Sequence, residues 1–464
     1  MKSAAWRWSV LTVASGLVLT ACAQGTAGND DGGDASAFDP EAELSGDASI
    51  MGFGAGDEIA TVRYDAAQAA MPEVSFSLIE GDLDIQQFLS AVAAGDPPDL
   101  VYANRDQIGT FASRGAILPL DACIEGEGID TSQYNESALN QVTFNDSIYA
   151  IPEFNTVQVT MANADVLSAA GLTIDDVNGS SWEDLEAATQ ALVVGGANDL
   201  SVIGYDSKLP EFLPLWAKSN GVDLLSEDGR TANLDDPAVV EALEFAVGIY
   251  DMQGGFSAVK AYRDSADFFG EGNQFAISVL GAMPMEQWYV NVLNEVSTDA
   301  PMAFDTYRGK DGEPMAYATG SSWAIPAGTE TSAAACRFMK IMTETDTWIA
   351  AAQERADLRA ESGQLFTGLL TGNAEADEQI REQFVPDDAP EPWASAISAM
   401  YEANDNTFSF PANPADTEFK TAWQDAVNRV LNGQAGAQES LEQGQQEAQA
   451  ALDEAWAEWD AEQD

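Results

Sequence analysis

The chain of 464 residues has no histidine. That removes histidine-based catalytic triads, imidazole metal sites and histidine proton shuttles, and with them much of hydrolase chemistry. Positive charge is scarce as well, because 19 Lys and Arg stand against 77 Asp and Glu, a formal net charge of -58. Such a surface repels phosphate backbones and anionic lipid, so nucleic acid is not expected as a partner. The acidity is read as solubility rather than as a device for cationic partners. With so many carboxylates, a pair that could serve as acid and base arises by chance and identifies no enzyme. Long apolar runs are lacking too, since Val10–Leu19 is too short to span a bilayer as a stable helix. Cysteine is limited to Cys22, Cys123 and Cys336. What is plentiful is apolar residues, 45% of the chain, enough to give two domains of ordinary size each a core.

The start of the chain has the layout of a secretory signal peptide: Lys2 and Arg7, the apolar run, then small residues. "LTAC" at residues 19–22 resembles the lipobox of bacterial lipoproteins, which implies that residues 1–21 are a leader and that Cys22 carries a lipid. Residues 22–45, rich in Gly, Asp, Ala and Ser, cannot offset the entropy of ordering and are expected to form a flexible tether. Export would place Cys123 and Cys336 in an oxidising compartment, where they could close as a disulfide or stay as two free buried thiols.

Beyond the tether, strand and helix patterns alternate. "ASIMGFGAG", "PEVSFSLIEG" and "DPPDLVYAN" read as strands, with "DEIATVRYDAAQAAM" and "DIQQFLSAVAAG" as helices between them, a βαβαβ order that argues for a parallel sheet flanked by helices. "IGTFASRG" reads as a short helix closed by Gly115. In "VTFNDSIYAIPEFNTVQVTMAN" a turn at Asn145-Asp146 precedes apolar strands that suit a passage from one domain to another. Then come a helix "SWEDLEAATQAL" capped by Ser181, a strand "LSVIGYD", helices "PEFLPLWAKSNG" and "DDPAVVEALEFAVGIYDMQG", and a strand turning into a helix in "NQFAISVLGAMPMEQWYVNVL". "EPMAYATGSSWAIPAG" is extended, "TSAAACRFMKIMTETDTWIAAA" reads as one helix, and the last stretch holds two helical pieces separated by glycines.

Four segments in this order carry a family resemblance: "AAGDPPDLVYANRDQIGTFASRGAILPLD", "DSIYAIPEF", "LWAKSNGVDLLSEDGRTANLDDPAVVEALEF" and "ATGSSWAIPAGTETSAAACRFMKIM". Together they resemble the extracellular solute-binding proteins of ABC importers, the carbohydrate-uptake type that includes maltose-binding protein. The resemblance implies an α/β fold of two lobes (type II periplasmic-binding-protein fold), each a mostly parallel sheet flanked by helices and joined by crossing hinge strands. Residues 46–155 and 316–360 would form lobe 1, and 156–315 and 361–464 lobe 2. Both Cys123 and Cys336 then fall in one lobe, which favours the disulfide. The implied protein is a monomeric binder held outside the cell membrane by its lipid. It captures a small-molecule sugar by hinge closure and delivers it to permease subunits, with no catalysis, no cofactor and no metal.

Sugar recognition uses aromatic faces against apolar C–H patches and planar polar groups against hydroxyl pairs. By strand ends and by the family pattern, the expected cleft residues are Phe53 and Asp57 after the first strand and Asp106 after the third. Glu153, Phe154 and Asn155 follow on the first crossing, then Lys208, Trp216, Glu286 and Trp288, with Gly320, Ser321 and Trp323 on the return. Lys208 departs from the acidic residue that maltose-binding proteins carry nearby. Trp393, at the start of a late helix, is a further candidate. Three rivals stand beside this reading: a carboxylate-dependent glycoside-active enzyme, a binder of a non-sugar solute, and a surface scaffold.

Overall fold

In a computed structural model, Ala42 and residues 44–463 are described. The expected leader, Cys22 and nearly all of the tether lie outside these residues. The first strand, Gly46–Met51, pairs in parallel with Val74–Ile79 on one side and with Leu100–Asn104 on the other. The helices between them start and stop where the sequence signals do. Asp57 caps Glu58–Ala70 by accepting from the Ala60 N–H at 2.7 Å, and Asp84 caps Ile85–Ala94, which ends on Gly95 at φ 74°. The sheet is completed by Ser321–Ala324, returning from far along the chain, and by the short Ile151–Pro152.

A second sheet has the order Met302–Thr306, Gln158–Asn163, Leu280–Glu286, Ile203–Tyr205. The two helix-flanked sheets are as expected, but their pairing is mixed rather than mostly parallel. Ser321–Ala324 runs against both its neighbours, and Gln158–Asn163 runs against both of its own. The reason is topological: Gln158–Asn163 and Ser321–Ala324 each enter their sheet from the other one, not through the helical crossover that joins parallel neighbours. Asn145 and Asp146 take positive φ, 47° and 68°, and close a tight hairpin between Thr143–Phe144 and Ser147–Ile148.

The helix expected from Thr331 onward is two, Ser332–Thr343 and Thr345–Glu361, broken where Glu344 becomes extended at ψ 150°. The break re-aims the second helix so that Trp348 lies over the Arg63 guanidinium, 3.8 Å from ring centroid to Cζ. Phe366, Leu369, Ala376 and Ile380 share a buried cluster with Ile59, Trp348 and Ala351, so this packing spans the expected lobe boundary at 360/361. The last two helices, Asp416–Leu431 and Ala437–Gln463, pack on each other. Leu441, Ala448 and Leu452 are fully buried, which uses the apolar face of the terminal helix inside the molecule.

Cys123 and Cys336 are joined by a disulfide across a Cα–Cα distance of 5.9 Å, tying the Asp121–Glu127 helix to Ser332–Thr343. The bond closes a separation of 213 residues, and a loop that long restricts the unfolded chain strongly. Replacing both cysteines by serine is expected to lower the free energy of unfolding by about 2–4 kcal/mol in urea titration. An unchanged midpoint would mean the bond adds nothing to stability.

Candidate functional site

Where the ends of the two sheets face each other lies a cavity of about 280 Å3. Its walls come from paired strand ends. Asn104 sits opposite Ser321 in the first sheet and Gln158 opposite Glu286 in the second, and all four line the space. Trp288 begins a helix directly after the Leu280–Glu286 strand, and the Asp416–Leu431 helix adds Lys420, Trp423 and Gln424.

The floor is made by two crossing segments that bond to each other. The Thr156 N–H donates to the Thr319 carbonyl at 2.8 Å, and the Thr319 N–H donates back at 3.0 Å. Arg105 lies fully buried beside them. Its Nε donates to Gln141 Oε1 at 2.9 Å, Nη1 to the Phe154 carbonyl at 2.6 Å, and Nη2 to Asn155 Oδ1 at 2.7 Å and to the Thr319 carbonyl at 2.5 Å. Burial pulls the guanidinium down to about 10, so it keeps its charge at neutral pH. Gln158 exchanges two hydrogen bonds with the Tyr317 backbone, at 3.0 and 2.8 Å. Gln287, next to Trp288, does the same work on the other side: its side chain accepts from the Val157 N–H and donates to the Asn155 carbonyl, each at 2.9 Å.

Three carboxylates line the cavity: Asp106, Glu211 and Glu286. Lys420 Nζ donates to Asp106 Oδ2 at 2.6 Å, while Asp106 Oδ1 is buried without a hydrogen-bond partner among the described residues. Burial pushes the Glu286 carboxyl up, opposed by Lys208 and by a hydrogen bond with Trp288 and reinforced by Glu211. The cavity therefore offers oxygen acceptors, an ammonium donor, side-chain amides and indole faces, the inventory for an uncharged, hydroxyl-rich solute.

Of the residues expected at the cleft, the cavity brings together Asp106, Glu286, Trp288, Gly320 and Ser321. Lys208 is half-buried just behind, near enough to act on Glu286. The others are placed elsewhere, each for a packing reason. Phe53 and Trp323 pack against each other in the first core, 4.9 Å between ring centroids and tilted by 56°, and Trp216 is buried among Trp182, Tyr205 and Phe245. Asp57 serves as the helix cap and lies beside Arg355. Glu153 is fully buried in an ion pair with Arg63 at 2.6 Å, Phe154 packs on Trp348, and Asn155 is held by Arg105. Trp393 is buried against Phe304. The lining residues not foreseen are Asn104, Gln141, Thr156, Gln158, Glu211, Phe212, Tyr317, Thr319, Lys420, Trp423 and Gln424. Lys420 and Trp423 share a helix face by their spacing of three, but that signal does not say whether the face meets a core or a cavity.

Residues 73–347, more than half the chain, match the family described as bacterial extracellular solute-binding protein. The chain belongs to that family. Solved structures similar to this solute-binding protein agree in fold. An ABC substrate-binding protein from Listeria monocytogenes, solved in complex with cycloalternan, has a TM-score of 0.69 at 18% identity, over 88% of this chain and 99% of that one. The GacH receptor of Streptomyces glaucescens, solved unliganded and with acarbose, gives 0.68 at 17%, over 89% and 99%. A solute-binding protein from Thermotoga lettingae, bound with alpha-D-tagatose, gives 0.67 at 18%, over 88% and 99%. Among the described residues of this member, no helix is long and apolar enough to cross a membrane.

The hydrogen-bond network under the cavity continues outward. Asn155 Nδ2 donates to Asn404 Oδ1 at 2.6 Å, and Asn404 Nδ2 donates to Asp377 Oδ2 at 3.1 Å. Burial pushes the Asp377 carboxyl from an ordinary 3.8 up to about 8, against hydrogen bonds from Thr371 and Asn404. The folded protein therefore keeps a proton that the unfolded chain releases. This contribution to stability is whole below pH 3.8 and is lost as pH rises to about 8. The stability of the wild type relative to Asp377→Asn should fall across that interval in denaturant titrations at several pH values. A constant difference would mean that the carboxyl titrates in the ordinary range.

Proposed function

We propose that this solute-binding protein captures a carbohydrate in the cavity between its two sheets, without turning it over, and hands it to the permease subunits of an ABC importer. The observation that carries the reading is the cavity lining: Trp288 offers an exposed aromatic ring, the nearly buried Trp423 adds a second from the Asp416–Leu431 helix, and Asp106, Gln158, Glu286 and Lys420 are polar groups around them. That is the pair of devices a sugar ring requires. The carbohydrates bound by the similar structures point the same way.

Capture would proceed by hinge closure. One body is residues 46–155 with 316–360, to which the 366–384 segment adheres, and the other is 156–315 with the remaining C-terminal residues. The protein acts as a monomer, and a lipid on Cys22 after cleavage of residues 1–21 would hold it at the outer face of the membrane. One acyl chain anchors only marginally, so further acylation is part of this reading.

The test is thermal unfolding of the full-length protein against mono- and oligosaccharides, with amino acids, polyols and polyamines as controls. A saccharide at a hundred times its Kd should add about 2.7 kcal/mol of stability. Trp288→Ala should weaken that saccharide by about tenfold or more while leaving the unliganded protein folded. Stabilisation by an amino acid or polyamine alone would replace the carbohydrate reading with a different solute, and release of chromophore from a glycoside would replace it with an enzyme.

A further inference from the structure

Trp288 lines the cavity yet keeps 37% of its surface exposed, and among the described residues the only other aromatic in the exposed large apolar set, Phe269 at 64%, lies beside it. The two rings are nearly parallel, 15° apart, with centroids separated by 6.1 Å. That distance is too long for direct face-to-face contact, so the two near-parallel rings leave ring surface uncovered between them and toward solvent. Phe269 is also held in place. Its neighbour Phe268 stacks on buried Tyr289 at 4.2 Å and 11°, and the Tyr289 hydroxyl donates to the Phe268 carbonyl at 2.7 Å. The segment carrying Phe269 is thus pinned to the helix that Trp288 begins. Asp267 and Glu271 on either side are exposed, so the apolar ring sits in a polar surround, the pattern of a contact surface rather than of a core edge.

We propose that Trp288 and Phe269 form a two-ring platform leading out of the cavity, so that the solute is a carbohydrate of at least two sugar rings whose outer ring stacks on Phe269. The inference rests on the carbohydrate reading above and deepens it. What selects this occupant is continuity: Trp288 belongs to the cavity and to the platform at once, so a ring stacked on Phe269 is reached by extending a chain already seated inside. A monosaccharide confined to the cavity would leave Phe269 uncovered.

The experiment is calorimetric titration of the full-length protein and of Phe269→Ala with two matched series: glucose, maltose and maltotriose, and mannose, mannobiose and mannotriose. In the wild type, affinity should rise from one ring to the longer members of the series that binds. Phe269→Ala should lose about threefold to tenfold on the longer members, the size of one aromatic contact, and leave the monosaccharide unchanged. Phe269→Tyr should restore the length preference. Equal loss at every length, or no loss at any, overturns the platform while the carbohydrate reading stands. If the wild type binds neither series, no oligosaccharide of these types is the solute and the platform falls with that result. Should other saccharides stabilise the protein in the unfolding panel, the carbohydrate reading survives it.

Discussion

A buried guanidinium governs this molecule. Arg105 is the residue after the third strand of the first sheet, and its donors reach Gln141 and, on the two crossing segments, Phe154, Asn155 and Thr319. Removing a guanidinium from water costs several kcal/mol, and the cost is offset only when its donors are met with good geometry. The surrounding residues obey that demand. Gly320 takes φ +147°, and a Cβ there would stand 2.0 Å from the Phe154 carbonyl oxygen and 2.7 Å from Arg105 Nη1, so the return crossing approaches this closely only as glycine. Asn155 accepts from Arg105 at its side-chain Oδ1 and donates from Nδ2 to Asn404, which carries the network to Asp377.

A second buried arginine, Arg63, is paired with Glu153, the residue before Phe154. Glu153 has no solvent exposure, and Arg63 is enclosed by Trp348, Phe154 and the Ile59 and Met342 carbonyls. In a chain with 77 acidic residues and 19 basic ones, two of the arginines are withdrawn from the surface to hold the first sheet, its helices and the crossing together. The charge imbalance outside therefore coexists with a cation inside whose donors are met by neutral acceptors, Arg105, and one that is ion-paired, Arg63.

These pairs also explain which parts of the site were legible. Strands and helices follow from alternation and from caps such as Asp57, Ser181 and Gly95, because those signals act within a few residues. Asp106, Glu286, Trp288, Gly320 and Ser321 could be foreseen because strand ends point into the cavity. Glu153 and Asn155 share that position in sequence but answer to buried arginines 90 and 50 residues away, a separation that no local pattern encodes. Trp216, Trp323 and Phe53 show the same ambiguity for aromatics, which fill cores and bind ligands with the same faces. The break at Glu344 escaped because the flanking residues are all compatible with helix, and a tertiary demand, the seat of Trp348 on Arg63, accompanies it.

Charge and rigidity meet in the cavity. A protein of net charge -58 surrounds its site with a field that repels anions and acts only weakly on a neutral molecule. A neutral polyhydroxyl solute gains nothing from that field, so its binding has to come from oriented acceptors and flat apolar faces. Those are useful only if they are held in place before the solute arrives, because ordering them on binding subtracts directly from affinity. Here the positions are fixed from below: Gln158 is locked on the Tyr317 backbone, Gln287 sets the start of the Trp288 helix, and both rest on the segments that Arg105 joins. A buried charge that does not line the cavity thus sets the positions of the groups that do.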